Sequence, residues 1–68
     1  MKEILFTVEE APEGGYTARA LGHSIFTESD DLASLHNAVR EAVQCHFEDN
    51  ERPGLIRLHF VKEEVIAA

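Results

Sequence analysis

The first hydrophobic pattern in the chain has a period of two. In residues 3–9, Ile4, Phe6 and Val8 alternate with Glu3, Leu5, Thr7 and Glu9, the pattern of a strand with one buried face. Glu10-Ala11-Pro12-Glu13-Gly14-Gly15 interrupts it with residues that cannot extend a ladder. The alternation resumes from Tyr16 to Leu21, with Tyr16, Ala18 and Ala20 on one side and Thr17, Arg19 and Leu21 on the other. Two such runs joined by a Gly-containing loop predict an antiparallel hairpin. Gly22-His23-Ser24 is a second turn, and Ile25-Phe26-Thr27-Glu28 a short third strand.

The period then changes. Ser29-Asp30-Asp31 supplies helix-starting residues. Asp31 is the expected N-cap, because a carboxylate there accepts from free backbone N–H groups at the positive end of the helix dipole. At about 100° per residue, Ala33, Ser34, Asn37, Arg40, Glu41, Gln44 and Glu48 fall in one polar arc. Leu32, Leu35, Ala38, Val39, Ala42, Val43, Cys45 and Phe47 fill the remainder, with His36 and His46 among them. The helix is expected to end near Glu48–Asn50, since Pro53-Gly54 cannot continue it. Leu55 to Val61 predicts a fourth strand, in which Ile56, Leu58 and Phe60 alternate with Arg57, His59 and Val61. A polar Lys62-Glu63-Glu64 stretch and Val65-Ile66-Ala67-Ala68 follow.

The element order is therefore β-β-β-α-β in a single domain over residues 1–68. Two hairpin connections make strands 1 and 3 parallel, and a right-handed helical crossover returns the chain as a parallel strand beside strand 1. The expected fold class is α+β: a four-stranded mixed sheet of order 3-2-1-4, with one helix across one face. Ile4, Phe6, Val8, Ile56, Leu58 and Phe60 pair naturally with the helix. Leu5, Phe26, Leu55 and Val61, joined by Leu21, then point to the uncovered face beside His59. Contiguous apolar side chains on an open face mark a protein interface.

Composition narrows the function classes. Thirteen acidic residues against six basic ones leave a formal charge of −7, whereas DNA and anionic membranes call for a basic face. A core of this size supplies only about 3–5 kcal/mol without staples. One cysteine cannot form an internal disulfide. Self-association, as a dimer or larger homo-oligomer, is the expected remedy. The free thiol suits a reducing compartment, and no apolar run approaches the roughly 18 residues of a membrane span, so a cytoplasmic protein is expected.

The candidate chemistry is sparse. His36 and His46 are about 80° apart around the helix and roughly 15 Å apart along it, so they cannot chelate one ion within a chain. Cys45 and His46 are adjacent and diverge, and neither CxxC nor HxxxH spacing occurs. Cys45 reads as a small apolar filler and His46 as a core-edge histidine. A third reading, a metal or small-molecule binder using His23, His36, His46 and His59, has no ligand spacing behind it. Glu9-Glu10, Asp30-Asp31 and Glu63-Glu64 lie on opposite strand faces, at a cap or in the tail, without the opposed environments of an acid–base dyad. No catalytic, cofactor or metal residues are assigned, and no enzyme is expected.

The chain resembles the N-terminal domain of HicB-type antitoxins, a β-β-β-α-β fold described as partial RNase H-like, along residues 3–61. The residues that carry the resemblance are Gly14-Gly15-Tyr16 opening strand 2, Leu21-Gly22 in the next turn, Thr27, Asp30-Asp31-Leu32 at the helix start, and Leu35, Ala38 and Arg40-Glu41-Ala42 along it. Where the family usually carries a Pro-Asp-Leu-Pro-Gly-like turn, this chain reads Ala18-Arg19-Ala20-Leu21-Gly22-His23. The resemblance implies neutralisation of a small basic mRNA-cleaving toxin, for which an acidic chain gives electrostatic steering. Full antitoxins continue into a DNA-binding domain, and this chain ends at Ala68, so DNA binding is not carried over. The alternative is a free-standing homo-oligomeric accessory or regulatory subunit of another complex, with no toxin partner.

Overall fold

A computed structural model describes residues 2–62 and 64–68; Met1 and Glu63, the latter within the expected polar tail, lie outside the described residues. Ile4, Phe6 and Val8 are buried along β1 (Glu3–Glu10), and the residues between them are half-buried or exposed. β2 (Tyr16–Ala20) returns antiparallel, setting Ala20 opposite Phe6 and Ala18 opposite Val8. β3 (Phe26–Ser29) pairs antiparallel with β2. α1 (Leu32–His46) then crosses the sheet, and β4 (Leu55–Val61) runs parallel to β1. The sheet order is β3-β2-β1-β4, so the α+β architecture and the 3-2-1-4 order are as the pattern predicts.

The differences are local. The third strand begins one residue late, because Ile25 turns into the core while its carbonyl oxygen accepts from the Ala20 N–H. The second strand stops at Ala20, and Leu21 lies in the following turn, 68% exposed, where its N–H still donates to the Leu5 carbonyl. The helix starts as expected: Asp31 is the N-cap, and its Oδ1 accepts from the Ser34 N–H at 2.8 Å. That bond from the Ser34 backbone holds the Asp31 carboxyl below its usual range. The helix ends earlier than expected. Phe47 is extended, its N–H closing the last turn on Val43, and its half-buried ring packs against the core.

The buried helix stripe is also narrower than the sequence suggests. Leu35, Val39 and Val43 are buried, at intervals of four residues, with Ala38 and Ala42 half-buried beside them. Leu32, His36, Cys45 and His46, all expected within the apolar arc, are exposed. The cause lies in the sheet below. The inward residues of β2 are Ala18 and Ala20, both buried, and α1 settles over β2 and β3 where these small side chains allow close approach. A helix seated there leaves the far side of the sheet, at β4, with little above it.

Candidate functional site

β4 is an edge strand with apolar residues on both faces. On the helix face, Ile56, Leu58 and Phe60 stand in register with Ile4, Phe6 and Val8 of β1. The β1 residues are buried; Ile56 and Leu58 are half-buried and Phe60 is 50% exposed. Phe60, expected under the helix, is therefore outside the core. Between α1 and β4 runs a groove of about 210 Å³ lined by His36, Val39, Arg40, Ile56 and Leu58. It continues past Arg40 and Ile56 into a second depression beside Val43, Arg52 and Pro53. The Arg40 guanidinium donates to the Asn37 Oδ1 at 3.0 Å, and Arg52 is paired with Asp49 at 2.8 Å.

On the opposite face, strand register sets Leu5, Phe26, Leu55, His59 and Val61, while Leu21, expected with them, lies past the end of β2 in the turn. They do not form one unbroken apolar patch. Leu5 is half-buried, and Leu21, Phe26, Leu55 and Val61 are exposed. Arg57 and His59 separate Leu55 from Val61 along β4, and Arg57 is ion-paired with Glu3. The Arg19 guanidinium carbon lies 5.6 Å from the Phe26 ring centroid, a cation–π contact that occupies one side of that ring. The open face is thus a mixed surface.

The remaining candidate residues are dispersed. His59 faces the open side of β4, and His36 borders the groove. His23 and His46 meet near the helix C-terminus, ring centroids 5.7 Å apart, and both stack edge-on against Phe47 at 5.0 and 4.9 Å. Cys45, expected as an apolar filler, is exposed and unbridged. Among the described residues, no group of three or more His, Cys, Asp or Glu side chains is placed to hold a metal ion. Nor, among those residues, is any helix long and apolar enough to cross a membrane. Sequence reasoning missed the half-covered helix face of β4, since alternation alone assigns Ile56, Leu58 and Phe60 to the core. The available signal was the mismatch between small Ala18 and Ala20 on β2 and these larger residues on β4.

The chain is similar in sequence to two curated relatives. A UPF0150 protein of Archaeoglobus fulgidus is 58% identical over 52 residues, which cover 76% of this chain and 77% of the relative. A UPF0150 protein of Thermotoga maritima is 39% identical over 66 residues, covering 97% of this chain and 93% of the relative. No family model matches the chain, and no solved structure matches it.

Proposed function

The chain belongs to the UPF0150 family, and we propose that it is a non-enzymatic, self-associating protein-interaction domain of the HicB antitoxin type. In this reading it acts in the cytoplasm and neutralises a small basic RNase toxin. The observation that carries the interaction role is β4, which leaves Leu55, Phe60 and Val61 exposed and Ile56 and Leu58 half-buried on an unpaired sheet edge. A chain with little core to spare gains from covering such a surface. The antitoxin role rests on the resemblance carried by Gly14-Gly15-Tyr16, Leu21-Gly22 and Asp30-Asp31-Leu32, within the β-β-β-α-β order. The −7 charge favours approach of a basic protein and disfavours DNA or an anionic membrane.

The test is co-expression of the full chain with the small open reading frame encoded beside its gene. Rescue of growth and a co-purifying complex support the antitoxin role. No complex and no rescue from toxicity refute it. The second reading is an accessory or regulatory subunit of another complex, with no toxin partner. A gene neighbourhood with no toxin-like frame supports this second reading.

A further inference from the structure

The outer edge of β4 is self-complementary, and we infer that it pairs antiparallel with β4 of a second copy about a twofold axis at Leu58. The inference rests on the self-association reading and adds the surface, register and direction. The Leu55 N–H donates to the Lys2 carbonyl oxygen across the β1–β4 ladder. Backbone groups alternate sides along a strand, so Leu55, Arg57, His59 and Val61 bond toward β1. The N–H and C=O groups of Ile56, Leu58 and Phe60 point out from the sheet. Such a free row is a template for another strand, and an antiparallel partner needs outward groups on alternate residues.

Centring the pair on Leu58 matches every residue of β4. Leu58 meets Leu58 of the second copy in a doubly hydrogen-bonded pair, and Ile56 meets Phe60 in two more. All three pairs place apolar side chains on the helix face. The half-exposed Phe60 ring thereby gains an apolar neighbour at the mouth of the other copy's α1–β4 groove. On the open face, Leu55 stands opposite Val61, and Arg57 opposite His59. A twofold centred on Arg57 instead sets two guanidinium groups against each other, and either neighbouring register leaves strand residues unpaired.

Charge selects the occupant. Two copies at −7 each repel over most of their surfaces. The stretch Arg52–Lys62 contains none of the 13 acidic residues and three of the six Lys and Arg residues. This edge is therefore where two acidic chains can approach, whereas a basic partner is drawn to the acidic surfaces elsewhere.

Hydrogen exchange on the full chain, read with its solution mass, tests the register. In the paired state the Ile56, Leu58 and Phe60 amides are protected as strongly as those of Arg57 and His59, and dilution to monomer releases only the first set. Leu55→Glu and Val61→Lys, both at exposed positions, each weaken the dimer tenfold or more, and the double variant restores it by setting Glu against Lys. A dimer whose Ile56, Leu58 and Phe60 amides exchange freely, or a double variant as weak as the singles, overturns the β4 register while leaving self-association intact. A monomer throughout overturns both.

Discussion

Val8 and Phe60 occupy the same register position on neighbouring parallel strands and face the same way, yet Val8 is 0% exposed and Phe60 is 50% exposed. The helix covers one and misses the other. Truncating Val8 to Ala removes buried methyl groups and leaves a cavity, with an expected cost of about 2–3 kcal/mol. Phe60→Ala is expected to cost the isolated fold about 1 kcal/mol or less, by the usual scale for half-exposed side chains. It also weakens assembly. Chemical denaturation at low protein concentration, beside a sizing measurement at high concentration, separates the two effects.

The helix offers an internal contrast. Leu35 is fully buried, and Cys45 one face away is exposed. Leu35→Ala is expected to cost about 3–4 kcal/mol, close to the whole stability of so small a core. Cys45→Ser stays within about 0.5 kcal/mol of the parent. Thermal melts of the two variants check this, and a strongly destabilised Cys45→Ser protein would show that the thiol is packed in the assembled state.

How much was legible in the sequence follows from the same residues. Period-two alternation in Ile4-Phe6-Val8, the cap at Asp31 and the breakers at Gly14-Gly15 and Pro53-Gly54 are local signals, and the sheet order follows from them with the handedness of the crossover. The shared face of Leu5, Phe26, Leu55, His59 and Val61 was also legible, because alternation sets parity within a strand, whereas Leu21 lies in a turn that alternation does not reach. Where α1 rests on the sheet is a tertiary matter. It depends on Ala18 and Ala20 being small, which is why Phe60, Cys45 and His46, in or beside the core by their spacing, stand outside it. The Arg19–Phe26 contact and the Glu3–Arg57 pair, which divide the open face, join side chains that no single strand's pattern links.

The helix cap predicts an acid response. The Ser34 N–H stabilises ionised Asp31, so its carboxyl titrates lower in the folded chain than in the unfolded one. Because the folded carboxyl titrates lower, the stabilisation is fully present above the ordinary range of an unfolded Asp carboxyl and disappears as pH falls through the lowered folded value. Asp31→Asn keeps a capping oxygen without the charge. Melting temperatures of the two proteins are expected to differ at neutral pH and converge in acid. A gap that stays constant across the carboxyl range contradicts this account of Asp31.

Two turn glycines with similar backbones are expected to respond differently to substitution. Gly15 and Gly22 have φ of +86° and +82°. A Cβ on Gly15 meets the Ser29 carbonyl oxygen at 3.0 Å, while one on Gly22 meets nothing within 4 Å. Gly22→Ala carries only the left-handed strain of about 1–2 kcal/mol. Gly15→Ala adds a backbone clash and is expected to be the worse of the two in denaturant unfolding.

Assembly of two acidic copies across β4, the edge strand that carries no acidic residue, has a salt signature. Screening lengths shrink from about 30 Å at 0.01 M to about 10 Å at 0.1 M salt, so added salt is expected to tighten the dimer. Binding of a basic partner is expected to weaken over the same range, which distinguishes the two interactions in one titration.

The most direct measurement is the solution mass of the unmodified chain by sedimentation equilibrium, from about 1 to about 100 μM, with thermal unfolding at the same concentrations. The account predicts a species of twice the 7.6 kDa chain mass and a melting temperature that rises with concentration. A cooperatively folding 7.6 kDa particle at every concentration, with a constant melting temperature, would contradict it.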